Sequence, residues 1–214
     1  NLLNKDKAIQ INNICDFSNT KIISATKFDP IFNTPTKKLI TVGRLNPTKR
    51  VDILLKATKI ILDTNNVDLI IVGEGPEKTK LKQLAKDLNI SERVHFIGFS
   101  NETHNWIANS DIYVSASIVE GSPNSIIESV CLGTPVVAAD CNFGPKEILD
   151  NGRIGILVPI NNTTEMITSI NNILENESLR KTIGKLSQKQ KINYSAEKIS
   201  KLYIKEITKL NEIN

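Results

Sequence analysis

Six short apolar runs recur along the chain, and their spacing constrains the fold more than any other feature. They are Leu39-Ile40-Thr41-Val42-Gly43, Asp68-Leu69-Ile70-Ile71-Val72-Gly73, Val94-His95-Phe96-Ile97-Gly98, Asp111-Ile112-Tyr113-Val114-Ser115, Pro135-Val136-Val137-Ala138-Ala139 and Gly155-Ile156-Leu157-Val158-Pro159. Each is β-branched and apolar throughout, the mark of a strand buried on both faces of a parallel sheet. Helical spacing fills the gaps: Val51–Leu62, Glu77–Leu88, Asn101–Ala108, Pro123–Leu132 and a short piece at Pro145–Leu149. This alternation predicts an α/β fold, a Rossmann-like doubly wound parallel sheet of about six strands with helices on both faces. After Pro159 the pattern is helical only, over Thr163–Glu175, Glu177–Lys191 and Ser195–Asn211.

The 214 residues, 40% of them hydrophobic, suffice for a large core. No run approaches 18 apolar residues, and the start has no signal-peptide core. The three cysteines, Cys15, Cys131 and Cys141, have no metal-ligand spacing and suit a reducing cytoplasm. A net charge of +4 with scattered lysines and 5% aromatics argues against nucleic acid as a partner.

Chemistry belongs in the loops beyond the carboxyl ends of such strands. The first loop, Gly43-Arg44-Leu45-Asn46-Pro47-Thr48-Lys49-Arg50, brings a guanidinium fork and an ammonium group to that edge, with Lys49 opening the next helix. Alone, these read more readily as two solvated charges. A second loop reads Glu120-Gly121-Ser122-Pro123-Asn124-Ser125-Ile126-Ile127-Glu128. Pro123 suits the first helical position and Ser122 the N-cap. The free N–H groups of Asn124 and Ser125 would then form an anion site. Glu128 follows inside an apolar helix, where an unbound carboxylate is costly and a vicinal diol is a suitable partner. Glu120 could hold a second sugar. Otherwise Glu120 lies in a solvated loop and Glu128 on a wet face.

In this order, Val42-Gly43-Arg44-Leu45 with Lys49, Ile71-Val72-Gly73-Glu74-Gly75-Pro76, Val94-His95-Phe96-Ile97-Gly98 and Glu120 through Val137 resemble the nucleotide-sugar-binding half of GT-B glycosyltransferases. The resemblance is to family 4 (glycosyl transferases group 1), and it covers Leu39 to Pro159 well. Glu120 and Glu128 have the family's glutamate spacing. The resemblance implies retention of anomeric configuration, no required cofactor or metal, and a nucleotide-diphosphate sugar, UDP-sugar or GDP-sugar, as donor. It makes Arg44 and Lys49 the diphosphate clamp, Glu128 the ribose ligand and Glu120 the sugar contact beside the reacting carbon. It gives Gly43, Gly75, Gly121, Ser122, Pro123, Asn124 and Ser125 to the donor site, and the main chain at Ile97 to the base. The chain has no Asp-x-Asp pair for a cation, in keeping with that assignment. Two departures stand out: Ser122 where Phe is frequent, and Arg50 where Gly is common.

The resemblance further implies an N-terminal acceptor domain, so residues 1–37 are expected to be a linker and residues 38–214 the donor domain. The parent enzyme would act in polysaccharide, lipopolysaccharide or glycolipid synthesis on a sugar or lipid-linked acceptor, and the fragment alone would not transfer. Its expected place is the cytoplasm, with peripheral membrane contact left open. The last helix carries Lys198, Lys201, Lys205 and Lys209 on one side and Ile199, Leu202, Tyr203, Ile207 and Leu210 on another, favouring packing on its own domain over a lipid surface. His95, His104, Trp106, Cys131 and Cys141 read as structural, and Gly73 and Gly75 as turn glycines. An epimerase-like enzyme or a non-catalytic nucleotide-sugar-binding module of the same fold remain alternatives.

Overall fold

The apolar runs become strands in the computed structural model, which describes residue 9, residues 11–17 and residues 20–211. They are β1 (Lys37–Val42), β2 (Val67–Val72), β3 (Val94–Gly98), β4 (Ile112–Ser115), β5 (Val136–Ala139) and β6 (Ile156–Val158). All pair in parallel, in the order β3-β2-β1-β4-β5-β6. Chain order reverses between β1 and β4, so a crevice opens beyond their carboxyl ends. Every residue of β2 is buried, whereas the edge strands β3 and β6 are only partly covered.

Alternate side chains of each strand enter separate cores, because the strand period is two. Leu39, Leu69, Ile71 and Val137 face one core, filled by α2 (Val51–Ile61), α3 (Lys78–Asp87) and α7 (Thr163–Glu175). Ile40, Ile70, Val72 and Val136 face the other, filled by α4 (Thr103–Ala108) and α5 (Asn124–Leu132). Each such side chain contributes about 2 kcal/mol when fully buried, so the sheet anchors both layers.

The amino-terminal stretch, expected to be an irregular linker, is more ordered than that. It carries α1 (Ala25–Phe28) and a 3-10 turn at Pro30–Asn33. Phe28 and Phe32 pack on Trp106, with ring centroids 4.9 and 5.7 Å away. The Ile23 N–H donates to Asn105 Oδ1 at 2.9 Å, and the Cys15 N–H to the Tyr194 carbonyl at 2.9 Å. Helical pieces of four residues are too short to show a period in sequence. The rest of that expectation, residues 1–8, 10 and 18–19, lies outside the described residues.

A short α6 (Pro145–Ile148) follows β5. Beyond β6 come α7, α8 (Glu177–Gln188), a 3-10 segment at Lys189–Tyr194 and α9 (Ala196–Asn211). The helix expected to reach Lys191 therefore tightens three residues early. Among the described residues of α9, Ile199 alone is fully buried. Leu202, Tyr203 and Ile207 stay exposed, contrary to the favoured expectation, and the Leu210 side chain lies outside the described set. Among the described residues, no helix is long and apolar enough to cross a membrane.

At the amino edge of the sheet, Asp68 sits 5% exposed inside a closed polar network. It accepts from Arg93 Nε at 2.8 Å, Lys38 Nζ at 3.1 Å and the Thr36 hydroxyl. Burial opposes its ionisation, but bonds from Thr36, Arg93 and Lys38 outweigh that and hold its carboxyl far below the usual range, with His95 Nε2 3.7 Å away and without a hydrogen-bond partner of its own among the described residues. His95 lies beside this network in strand β3, away from the loops at the carboxyl edge.

Candidate functional site

The loop after β1 is shaped by hydrogen bonds within it. Asn46 Oδ1 accepts the Lys49 N–H at 3.2 Å and the Thr48 hydroxyl at 2.8 Å. Pro47–Lys49 form a 3-10 turn, and α2 begins only at Val51, so Lys49 precedes the helix it was expected to open. Arg50 joins the two with φ +48°, a left-handed conformation that favours glycine. Such a backbone fits the resemblance's expectation of Gly at this position. Arg50 is held there by Asp52, at 3.0 and 3.2 Å, and by Asn161.

The loop after β2 presses directly against this one. A Cβ on Gly73 would stand 2.0 Å from the Gly43 carbonyl oxygen, and one on Gly75 2.3 Å from that of Leu45. The Leu45 N–H donates to the Glu74 carbonyl at 2.8 Å. These glycines therefore do more than turn the chain: they let two backbones meet and support the wall that carries Arg44.

The loop after β4 leads into α5, and here the cap is shifted. Pro123 is the N-cap and Asn124 the first helical residue, so Ser122 lies outside the helix. Proline's fixed φ suits the cap as readily as the first turn. The first bonds run from Ile126 and Ile127 to the Pro123 carbonyl. The N–H groups of Asn124 and Ser125 lie ahead of them, as the anion-site expectation required. Tyr113, fully buried in β4, donates to Ser125 Oγ at 2.7 Å and pins this helix start to the sheet.

These loops enclose a cleft of about 410 Å³ lined by Val42, Gly43, Arg44, Lys49, Thr103, Glu120, Ser122, Pro123, Asn124, Ser125 and Glu128. A second hollow of about 540 Å³ continues from it past Gly43, Arg44 and Thr103 to Gly73, Gly75, Ser100 and Phe99. Ile97, expected near the base, does not line either hollow. It packs against the second core, and the residues that follow the strand, Phe99 and Ser100, reach the space instead. Gly121 is exposed and lies beside the cleft rather than in its wall. Thr103, Phe99 and Tyr113 escaped the sequence reading because nothing local distinguishes them from ordinary helix, loop and strand residues.

Charge within the cleft is unevenly satisfied. Lys49 Nζ meets Glu120 Oε1 at 2.5 Å, with the Glu120 side chain 10% exposed. Two residues expected to serve different parts of a ligand are thus partners here, and Glu120 is not a solvated loop residue. Among the described residues, Arg44 makes no ion pair. Glu128 is half-buried, and among the described residues it has neither ion pair nor side-chain hydrogen bond. Burial alone pushes its carboxyl above the usual glutamate range. No group of three or more His, Cys, Asp and Glu able to hold a metal ion occurs among the described residues.

Comparison with known proteins adds an independent line. The family model described as "Glycosyl transferases group 1" matches residues 23–190. A Campylobacter jejuni protein named N-acetylgalactosamine-N,N'-diacetylbacillosaminyl-diphospho-undecaprenol 4-alpha-N-acetylgalactosaminyltransferase is 33% identical over 145 residues, 68% of this chain and 39% of its own length. The Staphylococcus aureus poly(ribitol-phosphate) alpha-N-acetylglucosaminyltransferase is 29% identical over 205 residues, 92% of this chain and 41% of its own. A TarM variant from S. aureus, solved with fondaparinux, alpha-GlcNAc-glycerol and UDP, superposes with a TM-score of 0.80 at 26% identity, over 92% of this chain and 39% of that one. Anabaena HepE in complex with UDP gives 0.76 at 25% identity, over 81% and 49%. The chain spans well under two thirds of each of these proteins, one half of a GT-B architecture.

Proposed function

The chain belongs to the glycosyl transferases group 1 family, and from that membership we propose that it is the donor-binding half of a retaining, metal-independent sugar transferase. The donor is a UDP-sugar or GDP-sugar, and the acceptor, a sugar or lipid-linked sugar, is held by a further N-terminal domain. The observation that carries this reading is Glu128: a half-buried carboxylate, without a partner among the described residues, lining a cleft whose other walls offer cations and helix N–H groups.

The ribose diol donates two hydrogen bonds to Glu128. The diphosphate lies between Arg44, Lys49 and the first N–H groups of α5, which together offset the charge released as the glycosidic bond to phosphate breaks. Lys49 turns from Glu120 to the phosphate as the donor enters. Glu120 is thereby freed to accept from the transferred sugar. UDP is the nucleotide in the TarM and HepE complexes, which favours UDP here. Both curated relatives are named for α-linkages, which an α-linked donor yields when configuration is kept.

Calorimetric titration with UDP, GDP, ADP and their sugar conjugates tests the reading. One nucleotide should bind, and Arg44→Ala and Glu128→Ala should each weaken it at least tenfold, about 1.4 kcal/mol. Binding that neither substitution alters would sink the assignment.

A further inference from the structure

Phe143 has a backbone that a bulky residue avoids. Its φ is +66°, and its side chain is 74% exposed, outside both hydrophobic cores. A lone exposed phenylalanine needs no explanation, but one held in the left-handed region is unusual, and such positions gather at functional sites. Its place is equally specific. A Cβ on the neighbouring Gly144 would stand 2.5 Å from Pro123 Cδ and 2.7 Å from the Gly121 carbonyl oxygen, so this loop packs against the Glu120–Pro123 loop. The Cys141 thiol two residues earlier is pushed up by burial first and by the Glu120 charge second, in keeping with that approach of the two loops. Val119, 60% exposed, adds a second apolar group next to Glu120.

We propose that Phe143 is a specificity-determining platform for the sugar that the donor carries, its ring receiving the C–H face of a hexose whose hydroxyls meet Glu120. The proposal rests on the donor-site reading above and extends it. With ribose on Glu128 and diphosphate on Arg44 and Lys49, the sugar end of the donor lies at Glu120, against the β5 loop. A pyranose presents axial C–H groups of slight positive charge on one face, and an aromatic ring presents a negative face to them. Glutamate beside an aromatic ring thus offers both halves of sugar recognition, one for hydroxyls and one for the apolar face.

The test is calorimetric titration of the chain and its Phe143→Gly and Phe143→Tyr variants with UDP and with UDP-glucose and UDP-N-acetylglucosamine, or the GDP series should GDP be the nucleotide bound. Glycine suits the φ of +66°, so Phe143→Gly is expected to melt no lower than the parent. It should bind the bare nucleotide unchanged and the sugar conjugate about three- to tenfold more weakly. Phe143→Tyr should match the parent. Should Phe143→Gly melt lower, Phe143→Leu, which keeps bulk without the ring, carries the same comparison. Equal weakening of nucleotide and conjugate, or no weakening of either, overturns the platform while leaving the donor site standing. A parent chain that binds none of these ligands overturns the donor site and the platform together.

Discussion

The two edges of the sheet hold a carboxylate in opposite ways, one buried and one half-buried. At the amino edge, Asp68 is closed in by Lys38, Arg93 and Thr36, and its carboxyl is held far below the usual range. At the carboxyl edge, Glu128 has no partner among the described residues, and burial pushes its carboxyl up. The first arrangement serves the fold. The second costs the fold something, and a ligand's hydroxyls would offset it. A paired acid and an unpaired one thus mark the closed and the open edge of the sheet.

The contrast is easiest to break at the amino edge. Asp68→Ala leaves Lys38 buried and uncompensated, and should destabilise the chain by about 3–5 kcal/mol in urea unfolding. Donor affinity, read on the fraction still folded, should not move. A loss under about 1 kcal/mol would mean that the network is ornamental. At the other edge, Glu128→Gln should weaken donor binding by about 1.5–3 kcal/mol, the range for hydrogen bonds to a charged group. The same substitution should leave thermal stability unchanged or raise it. A clear fall in melting temperature would show that Glu128 has a structural partner.

The pH profiles should also run in opposite directions. Asp68 has a depressed carboxyl, so its contribution is full above the ordinary aspartate value of about 3.9 and is lost as pH falls toward the native value. Glu128 has a raised carboxyl. Its native state binds more protons than the unfolded chain between the two values, so its contribution falls as pH rises through that window. Donor affinity should rise over the same window, as the carboxylate that accepts the diol forms, and should be flat there in Glu128→Gln. Calorimetry across the acid range would expose a profile that the substitution does not flatten.

The smallest effect lies at Arg50. Its φ of +48° suits glycine better. Arg50→Gly removes the strain and also the contacts to Asp52 and Asn161, so the net change should stay within about 1 kcal/mol of zero. It should not touch donor affinity, because this side chain points to Asp52 rather than into the cleft. A tenfold loss of UDP affinity in this variant would place Arg50 in the phosphate clamp.

Much of this was readable before any coordinates. The strands were legible because the central ones are covered on both faces and so are apolar at nearly every position, as β2 is apart from Asp68. Arg44, Lys49, Glu120 and Glu128 could be gathered in advance because loops after parallel strands emerge at one edge. The cap of α5 was misjudged by one residue, since proline's fixed φ serves either position. For the base, the sequence pointed to the main chain around Ile97, and the residues that line the hollow there are the next ones along, Phe99 and Ser100. The register between β2 and β3 also shifts at Ile71–Val72, which no local pattern in the sequence announces.

The sequence alone determined the layered sheet, the edge at which its loops gather and the spacing of the two glutamates, because burial and periodicity are local properties written residue by residue. Only the tertiary structure decided which groups meet. It paired Lys49 with Glu120 across 71 residues, pressed Gly75 against Leu45 and left Glu128 without a partner among the described residues. It also turned Phe143 outward beside the Glu120 loop. Such contacts depend on strand order and loop approach, and these are set by the packing of the whole sheet rather than by any segment of it.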